Sequence, residues 1–141
     1  MPKDQIQPKP SYHGKRYKVV HCEGALDSFY DALKKVKANK AKSLTTQMAL
    51  QIKRLADGGE MSNENFPSEG QLPSCPGQQR RKKFRALKRI PIRGYCWLSD
   101  RVPGTWFISH YVYKDYNDLD ERDTDKVGRN WRRIEENGDD R

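Results

Sequence analysis

The stretch Arg80–Lys114 reads RRKKFRALKRIPIRGYCWLSDRVPGTWFISHYVYK and joins a run of positive charge to two strand-like segments. Its first fourteen residues contain eight Lys or Arg and no acid. The segments Gly94–Ser99 and Thr105–Lys114 follow, and their aromatic and β-branched residues are typical of strands. Basic side chains on and beside a small aromatic sheet suit a polyanion, so this stretch predicts contact with nucleic acid.

The residues before and within this stretch predict the rest of the sheet. Lys15–Cys22 is expected to form a first strand, and Lys83–Ile90 a second that ends at Pro91, which cannot donate to a strand ladder. In the last strand, alternate side chains divide between two faces. The face expected to lie under helices carries Trp106, Ile108, His110 and Val112. The face that could meet a ligand carries Phe107, Ser109, Tyr111 and Tyr113.

Three segments have helical periodicity. Ala25–Lys37 and Lys40–Ala56 each carry one apolar stripe, so they predict a helix hairpin with a shared apolar face that a sheet must cover. Glu121–Glu136 predicts a C-terminal helix, with Asp118 or Asp120 as its N-cap. The expected fold is α+β, in the order β-α-α-β-β-β-α. Its small, mainly antiparallel sheet packs on the helix hairpin.

The remaining segments are polar and lack periodicity. Residues 1–14 are expected to form a flexible arm, and residues 58–80 a mobile loop inside a single domain that spans residues 15–136. Residues 137–141 read as an acidic tail.

Composition narrows the class of protein without naming a function. The 141 residues carry a net charge of +9, which fits either an acidic partner or a merely soluble basic protein. No apolar run is long enough to cross a membrane and no signal region is visible, so a cytoplasmic location without membrane contact is expected. Three widely spaced cysteines and three histidines lack ligand spacing, so we expect no metal and no cofactor.

The residues 87–134, LKRIPIRGYCWLSDRVPGTWFISHYVYKDYNDLDERDTDKVGRNWRRI, resemble the C-terminal half of the RelE/HigB-like superfamily of type II toxins. In that superfamily a basic strand precedes two aromatic strands. Here the last of these ends in His110–Lys114. A connector with Leu119 and an acid-led helix, Asp120–Ile134, follow as in the family. Many members carry a second Lys after the position of Lys114, where this chain has Asp115.

The resemblance implies a RelE/ParE-type fold and a small cytoplasmic toxin that an antitoxin protein neutralises. Many members cleave mRNA in the ribosomal A site, and a related branch acts on DNA gyrase instead. The implied partners are therefore an antitoxin, mRNA and the rRNA of the ribosome. Nothing in the sequence indicates the oligomeric state.

Metal-free RNA cleavage needs a proton acceptor, a proton donor and cations around the phosphate. By resemblance, the catalytic candidates are Lys88, Arg89, Arg93, Arg101, Lys114 and Tyr116. Of these, Arg89, Arg93 or Arg101 is expected to stabilise the phosphate, and Lys88 or Tyr116 to transfer protons. The nucleic-acid-binding candidates are Arg80, Arg81, Lys82, Lys83 and Arg85, with Tyr111 and Tyr113 as base-stacking rings.

Structural roles are the alternatives for several of these residues. The run 80–83 can be a solvated basic segment, and His110 a buried, hydrogen-bonded histidine. Trp106 and Trp131 are expected in the core.

Three functions remain open at this point: a ribosome-associated mRNA endonuclease, a catalytically silent binding module and a gyrase-directed toxin. The endonuclease would be excluded if the arginines and lysines of the middle strands were scattered over opposite faces with no shared hollow.

Overall fold

The computed structural model describes residues 6–73, 82–116 and 118–141. Six strands lie within these ranges: β1 (Ser11–His13), β2 (Lys18–His21), β3 (Ser68–Gln71), β4 (Lys83–Arg89), β5 (Ile92–Leu98) and β6 (Thr105–Tyr113). The helices of the same ranges are α1 (Ala25–Leu33), α2 (Ala38–Ala56) and α3 (Glu121–Trp131), which a π-helical turn, Arg132–Glu136, continues.

The strands form one mixed sheet in the order β1-β2-β6-β5-β4-β3. Strands β2 and β6 are parallel, and the other neighbouring pairs are antiparallel. The predicted α+β class is confirmed. The predicted element order was wrong in lacking β1 and β3, which are the two edge strands. Neither SYH nor SEGQ has an apolar alternation, so pairing with a neighbouring strand defines them rather than local sequence.

Helices cover both faces of the sheet. Helices α1 and α2 bury Phe29, Met48 and Ile52 against one face, as the two apolar stripes predict. Helix α3 and the turn after it bury Trp131 and Ile134 against the other face. Phe107, expected on a face open to ligand, lies in this second core. That expectation was wrong because the C-terminal helix covers the face that the sequence left open.

A bulge in β6 reverses the side-chain alternation part-way along the strand. The pairing with β5 passes from Tyr95 opposite His110 to Cys96 opposite Ile108, which leaves Ser109 as the extra residue. Before the bulge, Trp106 and Ile108 face the helix hairpin as predicted. After it, Tyr111 faces the hairpin in place of His110. A strict period of two cannot predict this exchange.

The C-terminal helix begins where its sequence predicts. The side chain of Asp120 accepts a hydrogen bond from the backbone N–H of Arg122 at 2.9 Å, which confirms Asp120 as the N-cap. The adjacent Arg122 side chain holds the pKa of Asp120 down, at about 2, so the cap stays ionised at neutral pH. This cap fixes the direction of the chain between β6 and α3, where the candidate site lies.

Candidate functional site

A cluster of charged side chains lies on the α3 side of the sheet. Lys88 and Arg93 are directly opposite each other on β4 and β5. They share this face because Ala86 and Tyr95, two residues away on each strand, both pack in the core under α3. Glu69 of β3 approaches them, with its Oε1 atom 3.8 Å from Arg93 Nη1. We call Glu69, Lys88, Arg93, Tyr95 and Lys114 the Glu69 cluster.

Arg93 is fixed in this cluster by a backbone contact. Its side chain is 2 % exposed, and Nη2 donates to the carbonyl oxygen of Tyr116 at 2.6 Å. The planar guanidinium therefore has one defined orientation, which ties the connector after β6 to the middle of the sheet.

Lys114 is buried without a hydrogen-bond acceptor for its amine. The residue is 3 % exposed, and its backbone N–H donates to Pro91 O at 2.6 Å. Among the residues that the structure describes, nothing accepts a hydrogen bond from Nζ, which lies 5.0 Å from the centre of the Tyr116 ring. An ammonium group has three donors, so Lys114 retains unused capacity to bind an anion.

Tyr95 contributes a second unpartnered polar atom. Its side chain is fully buried, and its hydroxyl has no hydrogen-bond partner within the described ranges. Burial raises the pKa of Tyr95, and the nearby charges of Asp123 and Glu69 raise it further. The phenol therefore keeps its proton at neutral pH and can donate a hydrogen bond.

The carboxylate of Glu69 is the negative group among the cations of the Glu69 cluster. Burial raises the pKa of Glu69, while the positive charges of Arg93, Lys88 and Lys114 oppose the rise. Desolvation outweighs three surrounding cations because none of them approaches the carboxylate in good hydrogen-bonding geometry. The cluster thus holds a poorly stabilised anion.

Of the cluster, Lys114 also lines a cleft of about 380 Å³ between α1, the end of β6 and the start of α3. Lys35, Lys114 and Arg122 line it together with three acids, Asp31, Asp120 and Asp123. Three tyrosines line the cleft, and two of them are exposed. Tyr116 is 56 % exposed, and Tyr113 is 36 % exposed with Lys35 Nζ 5.9 Å from its ring centre. An exposed ring beside a cation can stack a nucleobase.

His110 is held in a closed hydrogen-bond network, as its structural reading predicts. Its Nε2 atom lies 3.0 Å from Asp123 Oδ1, and its Nδ1 atom 2.8 Å from Ser109 Oγ, which also accepts from Asn130. Burial lowers the pKa of His110, although Asp123 opposes this. The network connects β6 to α3 and orients Asp123 at the cleft.

The structure brings together four of the six catalytic candidates, Lys88, Arg93, Lys114 and Tyr116. Arg89 lies on the opposite face, in a cleft beside Gln51 and Arg54 of α2. Arg101 lies in the β5–β6 turn, where it donates to Ile134 O at 2.6 Å and to Asp139 O at 2.8 Å. The length of β6, roughly 25 Å, separates that turn from Lys114. The cations of the middle strands therefore divide between two faces: Lys88 and Arg93 share one face, and Arg89 lies on the other.

The predicted nucleic-acid-binding residues are also dispersed. Arg80 and Arg81 lie outside the described residues. Lys82 pairs with Asp100, and Lys83 is exposed at the start of β4. Arg85 lies on the helix-hairpin side, with its guanidinium 5.2 Å from the centre of the Phe66 ring. Tyr111 is 3 % exposed against Phe29, so its ring is not available to stack a base in this arrangement.

Two members of the cluster were absent from the sequence-based candidates. Glu69 lies in the segment expected to be a loop, and only its pairing beside β4 brings it to Arg93. Tyr95 reads as one of several aromatic strand residues. No local signal distinguishes either of them.

The chain matches no protein-family model, no curated protein and no solved structure. Within the part of the chain that is described, no helix is both long and apolar enough to span a membrane. The same residues contain no group of three or more His, Cys, Asp or Glu side chains arranged to hold a metal ion.

Proposed function

We propose that this chain is the toxin of a toxin–antitoxin system and cleaves mRNA on the ribosome as a metal-independent endoribonuclease. The observation that carries the proposal is the Lys88–Arg93 pair on one face of the sheet together with Lys114, which lines an open cleft and whose buried amine has no acceptor among the described residues. When the edge strands β1 and β3 are left out, the elements follow the order β-α-α-β-β-β-α that the RelE/HigB-like resemblance implies. This order supports the proposal.

In this proposal the cluster binds the scissile phosphate. Arg93 and Lys114 neutralise the charge that develops on the phosphate oxygens, and Tyr95 donates a further hydrogen bond. The 2′-oxygen attacks phosphorus while the 5′-oxygen leaves, so one P–O bond forms as another breaks. Either Lys88 as the neutral amine or Tyr116 as the phenolate accepts the 2′-hydroxyl proton, and the other residue, in its protonated form, donates a proton to the leaving 5′-oxygen. Tyr113 and Tyr116 stack the neighbouring bases.

The antitoxin and the ribosome enter the proposal as partners. An antitoxin that neutralises the toxin would cover the cleft or the tyrosines at its edge. Since Arg89 and Arg101 lie away from the cluster, neither is assigned to the phosphate.

Primer extension on cellular transcripts after brief expression tests the proposal. The wild-type chain should produce discrete cleavage positions in translated mRNAs. Lys114→Met should lower cleavage by about 10²- to 10³-fold, as the loss of one preorganised donor to a transition state does. Arg89→Gln is the matched control, because it removes a cation from the opposite face and should leave cleavage unchanged. Intact transcripts together with unimpaired translation would remove the proposal.

A catalytically silent nucleic-acid-binding module is the second candidate. It is favoured by the acids among the cations, since Asp120 and Asp123 line the cleft and Asp115 replaces a family lysine. A silent module would bind RNA with strong salt dependence and would leave transcripts intact. Lys114→Met would then weaken binding, with no cleavage to lose.

A further inference from the structure

We propose that the Glu69 carboxylate holds the place of a phosphate in the Glu69 cluster, so that a phosphate binds there by displacing it. Glu69 is then an internal competitor that every substrate must expel. The inference rests on the proposed function for the identity of the phosphate as an RNA phosphodiester.

Glu69 occupies the position at which an anion is expected. Its carboxylate lies 3.8 Å from Arg93 of β5, and the charges of Lys88 on β4 and of Lys114 in the connector after β6 also act to lower its pKa. Three buried or half-buried cations on one face repel each other unless an anion lies among them. In the structure as it stands, Glu69 supplies that anion from an edge strand.

Glu69 also fits the cluster poorly. Its closest distance to Arg93, 3.8 Å, is beyond hydrogen-bond length. Lys114 Nζ and the Tyr95 hydroxyl, both buried, have no hydrogen-bond partner in the described residues. A phosphate is larger than a carboxylate and presents its oxygens in a tetrahedron, so it can satisfy donors that the planar group leaves unused.

Glu69 can leave the cluster while its strand stays in place. Strand β3 is anchored on both sides, since Phe66 and Leu72 are buried. It also passes closely over Phe84, because a Cβ atom on Gly70 would lie 2.7 Å from that ring. The side chain of Glu69 is 13 % exposed. The side chain, rather than the strand, is therefore the part that turns out to solvent when a phosphate enters.

Binding of an RNA that cannot be cleaved tests the competition directly. The probe is a short, fluorescein-labelled RNA in which every 2′-oxygen is methylated, and the readout is anisotropy at pH 7.5 and low salt. Glu69→Gln keeps the shape of the side chain and removes its charge. It should bind about tenfold more tightly than wild type, since one negative charge beside the phosphate is removed.

Two further variants control for charge and position. Glu64→Gln removes an exposed acid from the same segment and should change affinity by less than about twofold. Glu69→Asp retains the charge and should not reproduce the gain of Glu69→Gln. Thermal unfolding of each variant establishes that it is folded.

The outcomes separate this inference from the proposed function. One outcome is that wild type binds the probe, that Lys114→Met weakens binding and that Glu69→Gln does not strengthen it. In that case Glu69 does not compete with the phosphate, and the phosphate site stands. If Glu69→Gln abolishes cleavage without changing affinity, Glu69 transfers a proton and is not a competitor. If neither wild type nor Glu69→Gln binds the probe, both proposals fall.

Discussion

Two glutamates beside the same sheet have opposite surroundings. Glu135, in the π-helical turn, accepts four hydrogen bonds. Its donors are Trp97 Nε1 at 3.2 Å, Ser99 Oγ at 2.6 Å and the backbone N–H groups of Asp100 and Arg101, each at 2.9 Å. Glu69, towards the other end of the β5–β6 hairpin, has three cations around it, and no hydrogen bond to its carboxylate is found in the described ranges.

The difference separates a group that stabilises the fold from one that is poised for a ligand. Buried and half-buried polar groups in folded proteins are normally paired, and the exceptions concentrate where binding or catalysis completes the pairing. Glu135 follows the rule and closes the C-terminal turn over the β5–β6 hairpin. The Glu69 cluster departs from it at three groups: the carboxylate itself, Lys114 and Tyr95.

The largest expected effect on stability comes from replacing Glu135, whose carboxylate is fully hydrogen-bonded. Glu135→Gln replaces one acceptor oxygen with an NH₂ group that faces donors, so about two charge-assisted hydrogen bonds are lost. The free energy of unfolding should fall by about 3–4 kcal/mol, measured by urea denaturation at pH 7. Glu136→Gln, on an exposed neighbour, should change it by less than about 0.5 kcal/mol. If the two variants are equally stable, Glu135 is not a structural group and the comparison fails.

His21, like Glu135, is a titratable residue whose polar side-chain atoms all have hydrogen-bond partners. Its Nδ1–H donates to Lys9 O at 2.7 Å, and its Nε2 accepts from the Tyr111 hydroxyl at 2.7 Å, so the neutral ring is fully paired. Burial lowers the pKa of His21 from 6.5 to about 4, against the opposing hydrogen bond to the Lys9 carbonyl.

Stability should therefore be lost in acid. The unfolded chain takes up the His21 proton near pH 6.5, whereas the folded chain does so only near pH 4. The contribution is fully present above pH 6.5 and falls away as pH drops to 4, by about 3 kcal/mol in all. Urea denaturation from pH 7 to pH 4 should show this loss in wild type. His21→Gln should flatten the slope, and His13→Gln, on an exposed histidine, should not. If the free energy of unfolding falls equally with pH in wild type, His21→Gln and His13→Gln, His21 is not the source of the acid instability.

The sequence predicts the fold better than it predicts the site, for a physical reason. The stripes of α1 and α2 and the aromatic runs of β5 and β6 are local patterns of apolar residues, and burial follows them. The inserted Ser109 is invisible to such a pattern, so Tyr111 was wrongly expected to face a ligand.

The site depends on pairings between distant residues. Lys88 and Arg93 share a face because their strands pair in one particular register. Glu69 joins them through β3, whose residues SEGQ carry no strand signal. Basic residue type alone likewise could not separate Lys88 from Arg89, which adjoin in sequence and point to opposite faces.

The smallest expected effect falls on Glu69 itself, and it has the opposite sign to that of Glu135. Burial raises the pKa of Glu69, so the ionised carboxylate is a cost to the folded state above that pKa, and the cost disappears as pH falls through it. Glu69→Gln should therefore leave the free energy of unfolding at pH 7 unchanged or raise it, by no more than about 1 kcal/mol. The gain should vanish in acid, where wild-type Glu69 is already protonated. The measurement is urea denaturation of wild type and variant at pH 7 and pH 4. A loss comparable to that of Glu135→Gln would mean that the three cations depend on the Glu69 carboxylate, and the two glutamates would then belong to one structural class.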